Sequence, residues 1–325
     1  MRFTFLLLIL IGICAIPAAA QDDPDRLFHG DEAEERSLAV VATFKSPRII
    51  NGQSNETIHK NDLLFTVMHR FGDIAGDFGG ARSFFGLDNS TDILVGFDYG
   101  ISDRLSAGLG RAKGAPNGTS TDQNQLFYIH TKYRLLQQTG NDRMPFSVTL
   151  FGNSVVSATE KREQTTSDAG FQKFGDRMSY VAQVIIARKF SNNLSLALSP
   201  SYIRRNYVSY MDMNDLFALG LGGRMKISPW MAVVIDYFLS FRSQESKDYF
   251  REEKDFRLYN PLGAGLEIET GGHVFNLSFM NSTAILENQF IPATSSSWGK
   301  GGFRWGFSIT RTFAMSDKSK SPENP

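Results

Sequence analysis

The sequence predicts an all-β fold, a transmembrane antiparallel up-and-down β-barrel of twelve strands with fourteen as the rival count, on three observations. Short segments alternate apolar and polar residues, the connections between them are alternately short and long, and past residue 20 no long continuous apolar run arises. Residues 230–242 show the alternation: Met231, Val233, Ile235, Tyr237, Leu239 and Phe241 share one face, while Ala232, Asp236 and Ser240 lie on the other with Val234 and Phe238. Period two means strand, because successive side chains point to opposite sides. Asp236 is costly against lipid and ordinary in a polar lumen, which assigns the two faces. Hydrophobic residues make up 42% and mean hydropathy is −0.22, values that a soluble protein also shows. A barrel accommodates them, since only the outward half of each strand must be apolar.

In chain order, Arg2, the apolar run from Phe3 to Ile16 and the small residues Ala18-Ala19-Ala20 have the three parts of a secretory signal, so residues 1–20 are expected to be removed after Ala20. The single cysteine, Cys14, sits inside this signal, and bulky Ile13 before it argues against a lipidated start. Disulfides and thiolate metal sites are thereby excluded from the exported chain. Residues 21–61 read as a periplasmic leader or a lumen-entering segment, acidic as far as Glu35 and strand-like over 38–44. The barrel is expected over 62–314, with strands at 62–71, 92–100, 104–112, 123–136, 145–156, 176–189, 193–204, 214–226, 230–242, 260–270, 272–281 and 302–314. A polar tail occupies 315–325. Every second connection is the shorter kind. In outer-membrane barrels such turns face the periplasm, long loops face outward, and an even strand count leaves both termini periplasmic.

A soluble secreted sandwich or barrel is the rival architecture. Against it, Leu194, Leu196, Leu198 and Tyr202 oppose Ser195, Ala197, Ser199 and Ser201, and Phe303, Trp305, Phe307 and Ile309 oppose Arg304, Gly306, Ser308 and Thr310. Apolar stripes recur on so many strands that one soluble interior could not use them all.

Two resemblances follow from particular phrases. The segment Arg304-Trp305-Gly306-Phe307-Ser308-Ile309-Thr310-Arg311-Thr312-Phe313 is similar to the C-terminal signal by which barrels are recognised for outer-membrane assembly, with Arg311 and the tail after Phe313 departing from that pattern. Ala42-Thr43-Phe44-Lys45-Ser46 with Arg48-Ile49-Ile50-Asn51, His69-Arg70-Phe71-Gly72, Phe85-Gly86-Leu87-Asp88, Phe97-Asp98-Tyr99-Gly100-Ile101 and Gly108-Leu109-Gly110-Arg111 resemble an uncharacterised family of Bacteroidetes-type outer-membrane β-barrels, a domain of unknown function. The resemblance spans almost the whole mature chain. It implies a membrane barrel and carries over no catalytic residues.

The alternation assigns Arg70, Asp98, Tyr128, His130, Lys132, Arg134, Gln183, Arg224, Asp236, Glu267, Glu269 and Arg304 to the lumen. Their mixed signs suggest a paired network rather than a selectivity ring of one sign. The first long loop, with Gly79-Gly80-Ala81-Arg82-Ser83-Phe84-Phe85-Gly86, is apolar enough to be expected to fold inward as a constriction, the alternative being a surface loop clasped by its own aromatics. Lys plus Arg and Asp plus Glu are 34 each with no basic block, which gives nucleic acid no purchase. No histidine pair has ligand spacing and no phrase resembles a nucleophile motif, so no cofactor, metal or enzymatic activity is expected; a surface phospholipase-like enzyme is the weakest reading. The sequence points to a channel or carrier for a small solute, amphipathic ones included, with a closed structural or partner-docking barrel as the alternative. Its partners are then outer-membrane lipid, the outer-membrane assembly machinery and a small-molecule or lipid-like ligand.

Overall fold

The computed structural model describes residues 39–116, 118–119, 122–163 and 167–315; the expected signal, the acidic stretch up to residue 38 and the tail from 316 lie outside the described residues. Twelve strands run β1 Asp62–Asp73, β2 Ser90–Ser102, β3 Leu105–Ala112, β4 Leu126–Leu136, β5 Ser147–Ser157, β6 Met178–Lys189, β7 Leu194–Arg205, β8 Asp215–Ser228, β9 Met231–Phe241, β10 Leu262–Thr270, β11 His273–Met280 and β12 Arg304–Ala314. Each pairs antiparallel with its neighbour in the chain, and β12 closes on β1 with Ala314 opposite Asp62 and Gly306 opposite Arg70. Closure leaves no edge strand, so wall backbone groups are paired without water.

The alternation sets the two faces. On β2, Ile93, Val95, Phe97 and Tyr99 are exposed while Asp92, Leu94 and Asp98 are buried. On β9, Ile235 is 48% exposed and its neighbour Asp236 is 2% exposed. The outer face is thus an apolar belt and the inner one carries the charge.

Among the described residues, two pieces of chain fill the inside. Residues 39–61 form a hairpin that starts at the short-turn end, where the Val40 N–H donates to the Gln138 carbonyl at 2.8 Å. It reaches a tip at 49–52, closed by Ile49 N–H to Gly52 O at 2.9 Å, and returns to the β2–β3 turn, where Thr57 Oγ1 donates to the Asp103 carbonyl at 2.9 Å. Phe44, Ile49 and Ile50 pack against Ala187, Ala197, Val234 and Met280. From the long-loop end, the β11–β12 connection folds inward and carries a short helix, α2, Glu287–Ala293, buried over its whole length. Its Phe290 and Ile291 pack against Phe151, Val181, Ile185 and Ile203 from the wall. A second helix, α1, Gln244–Glu252, which precedes α2 in the chain, lies in the β9–β10 connection, its N-terminus capped by Ser243.

The first long loop does not act as the expected constriction. Phe78, Phe84 and Phe85 are exposed, and the loop bonds to itself and to the end of β1, as in Phe85 N–H to Gly80 O and Gly72 N–H to Gly86 O. The β11–β12 connection occupies the lumen instead.

Candidate functional site

The candidate site is the lumen, built where wall side chains meet the hairpin. The hairpin tip presents three consecutive N–H groups, and such a concave run binds an anion. Asp236 Oδ2 accepts from Ile50, Asn51 and Gly52 N–H at 3.2, 2.6 and 2.8 Å, and its Oδ1 accepts from Asn51 Nδ2 at 2.7 Å. The other side of the Asn51 amide accepts from Arg70 at 2.9 Å and from Ser282 Oγ at 2.8 Å. Arg70 also donates to Ser282 Oγ at 2.7 Å and to the Ala284 carbonyl, so one arginine of β1 joins both inserted segments. Asn51 therefore links β9, β1 and the inward loop.

Below this hub, Lys132 Nζ donates to the carbonyls of Pro47 at 2.6 Å and Ser54 at 3.1 Å. Asp98 and His130 lie 2.5 Å apart, with Tyr128 stacked on the His130 ring at 5.6 Å between centroids. Arg224 pairs with Glu267 at 2.7 Å, Glu269 with Lys45 at 3.0 Å, and Arg134 with Glu56 at 3.8 Å. Gln183 donates to Ser201 Oγ at 2.9 Å. At the long-loop end Arg304 pairs with Asp73 at 2.5 Å and donates to Ser296 Oγ at 2.9 Å.

All twelve sequence-assigned residues thus lie on the inner face. What they meet is largely the chain itself: Asp236, Arg70, Lys132, Arg134 and Glu269 all bond to the hairpin. The alternation could not reveal their partners Asn51, Glu56 and Lys45, which sit in a segment without a periodic pattern. Glu287, buried in α2, pairs with Arg48 at 3.2 Å and accepts from Gln53 at 2.8 Å, tying the two inserts together. Asp92 was legible and missed: it shares parity with Asp98 on β2. It accepts the N–H groups of Ile285 and Gly114 at 2.8 Å each, holding the inward loop to the wall.

The wall is shaped for the hairpin. A methyl group on Gly263 would stand 2.8 Å from Asn51 Nδ2 and 2.9 Å from Asp236 Oδ1, and one on Gly100 would overlap the His59 carbonyl. A cavity of about 750 Å³ opens at the long-loop mouth and one of about 190 Å³ at the short-turn end, with pockets of about 30 and 10 Å³ between them. Among the described residues no cluster of three or more His, Asp or Glu side chains is placed to hold a metal ion.

A family model, DUF5777, described as a membrane bound beta barrel domain, matches residues 44–313. The chain belongs to that family. The match to DUF5777 covers the hairpin from Phe44 onward and the twelve strands as far as Phe313, so the buried part of the lumen insert falls within the family's domain. No curated protein matches this DUF5777 chain. Among solved structures, the KdgM porin is similar at 7% identity and a TM-score of 0.44, over 78% of this chain and 99% of that one. The COG4313 outer membrane channel from Pseudomonas putida F1 is similar at 12% identity and a TM-score of 0.46, over 80% and 98%. At those scores the closed DUF5777 barrel stands on its own strand register.

Proposed function

We propose that the protein is an outer-membrane channel for a small solute whose lumen is throttled by its own residues 43–58, with both barrel termini on the periplasmic side. One observation carries the reading: the wall is hollowed and charged to receive a separate stretch of chain. Strand side chains fill the interior of a barrel of about eight strands, whereas a wider barrel leaves a lumen that is open or plugged. Here Asp236, Arg70 and Lys132 bond to the hairpin, Asp236 and Lys132 to its backbone and Arg70 to the Asn51 side chain. Water or a polar solute can take over such hydrogen bonds at small net cost, because folding itself exchanges one set for the other. The apolar outer belt and the absence of an edge suit a membrane crossing, and antiparallel barrels with short turns at one end are the outer-membrane type.

The test is conductance in planar bilayers of the full chain and of a chain lacking residues 43–58, each first shown to be a folded barrel by heat-modifiable migration. A channel gives large, stable openings when the hairpin is deleted. Silence from a folded deletion chain would replace this reading with a closed structural barrel.

A further inference from the structure

We propose that the outer wall of β1–β4 at the long-loop end holds the phosphate-bearing headgroup of a membrane lipid between Arg111 and Lys113, with His69 at its edge. This site lies on the outside of the barrel and is independent of whether the lumen conducts.

β3 brings the two cations onto one face. Arg111 is its penultimate residue and lies between Val95 of β2 and Phe127 of β4. Ladder bonds continue past the end of the strand, with Lys113 N–H donating to the Ile93 carbonyl at 2.8 Å and the Lys113 carbonyl accepting from Gln125 N–H at 2.7 Å. Period two therefore puts Lys113 on the same side as Arg111, about 7 Å further along the wall. Both side chains are exposed. The Arg111 guanidinium lies over the Phe127 ring at 5.4 Å, a stacked pose that keeps its N–H edge open. Lys113 Nζ gives one bond to the Ser90 carbonyl at 2.9 Å, and an ammonium has two more to give. Across Ile93, His69 stacks on Phe307 at 5.6 Å between centroids, and its Nδ1 has no hydrogen-bond partner among the described residues.

The wall does not neutralise this charge. The positions that face Arg111 and His69 across the strands, Val95, Phe127, Ile93 and Phe307, are all apolar. Elsewhere on the outer face Arg204 pairs with Asp215 and Arg188 with Asp142, whereas among the described residues neither Arg111 nor Lys113 has a carboxylate within ion-pair reach. Such side chains are costly at the bilayer midplane and cheap at its surface, where these strand ends lie. A guanidinium forks a phosphate and an ammonium adds a point charge beside it. Directly below, Leu109 and Ile129 are paired and exposed, an apolar surface that takes an acyl chain and gives a free anion nothing.

The test is native mass spectrometry of the full-length protein in detergent with equimolar phosphatidic acid and phosphatidylcholine, each chain first shown to be a folded barrel by heat-modifiable migration. The parent should retain phosphatidic acid on the order of tenfold over phosphatidylcholine. Arg111→Gln combined with Lys113→Gln should bring that ratio near one. Arg311→Gln, which removes an outer-face arginine that lies over Phe313 at the short-turn end, should leave it unchanged. Equal retention of both lipids by the parent, an unchanged preference in the double variant, or the same loss in Arg311→Gln overturns the site. Displacement of phosphatidic acid by equimolar inorganic phosphate would make the ligand a free anion and overturn the lipid assignment.

Discussion

Two long connections leave the same end of the barrel and do opposite things. The β1–β2 loop, rich in phenylalanine, stays outside with Phe78 at 83% exposure, while the β11–β12 connection, rich in Ser, Thr and Asn, is buried. Apolar content would suggest the reverse. The difference lies in the backbone, since a loop inside a barrel must find partners for N–H and C=O groups that water no longer serves. The inward loop finds them on the wall: Asp92 takes the Ile285 N–H, Arg70 donates to the Ala284 carbonyl, and Arg242, just after β9, donates to the Pro292 carbonyl at 2.7 Å. The outer loop satisfies itself through tight turns that hold Phe84 and Phe85 at φ of 45° and 53°, a left-handed conformation that bulky side chains adopt at a cost.

The sharpest way to break the inward loop is at its charged anchor. Asp212, in the β7–β8 connection, is buried between Arg205 at 2.9 Å and Arg242, with Thr119 Oγ1 donating at 2.5 Å. Asp212→Asn leaves two buried arginines facing each other and should cost ~3–5 kcal/mol. Limited proteolysis should then cut within 281–297, while cleavage of the 74–89 loop stays as in the parent. Unchanged protection of 281–297 would mean that the loop is held by apolar packing alone.

The same anchor should respond to acid. Burial raises the Asp212 carboxyl pKa, but the two arginines outweigh burial and hold it below the usual carboxylate range. A carboxylate with a depressed folded pKa contributes stability that is complete above the unfolded value, about 3.9, and lost as pH falls through the folded one. Urea unfolding should therefore show the parent losing stability below about pH 4. Asp212→Asn should flatten that limb by one carboxylate's share, and an identical limb in both proteins would remove Asp212 as its source.

Adjacent wall residues extend the contrast to the two faces. Ile235→Arg puts a charge into the apolar belt near mid-strand and should cost ~2–4 kcal/mol, seen as failed assembly into membranes. Asp236→Asn keeps the shape and loses a charged acceptor for the hairpin tip, an effect of about 1–3 kcal/mol. Its signature is protease access to residues 43–58 in an otherwise assembled barrel. Equal assembly defects in both variants would erase the distinction between the faces.

The smallest effect belongs to the outer loop. Phe85→Gly removes a side chain from a left-handed position and should change stability by less than about 1 kcal/mol, in the stabilising direction. Marked destabilisation would show that Phe85 packs against something the exposed loop does not display.

The period-two pattern was enough to read the strands of this barrel. Each strand falls within a few residues of its expected range, and Asp98, Lys132 and Asp236 were assignable to the lumen from parity alone, because the pattern is written along each strand and the pleat makes it a direction in space. Asp92 carried the same signal at the first position of the expected strand, two residues after β2 begins. Asn51, Glu56 and Glu287 carried no such signal, since a hairpin tip and a short buried helix have no repeat to betray which way a side chain points.

By itself, then, the sequence determined the architecture, the apolar outer face and the charged inner one, all local consequences of alternation summed over twelve strands. Only the tertiary structure decided that residues 43–58 and 281–297 fill the interior and that the phenylalanine-rich loop does not. Those outcomes depend on which buried N–H, C=O and charged groups meet across long stretches of chain, and a partner 185 residues away, as Asp236 is from Asn51, leaves no trace in local pattern.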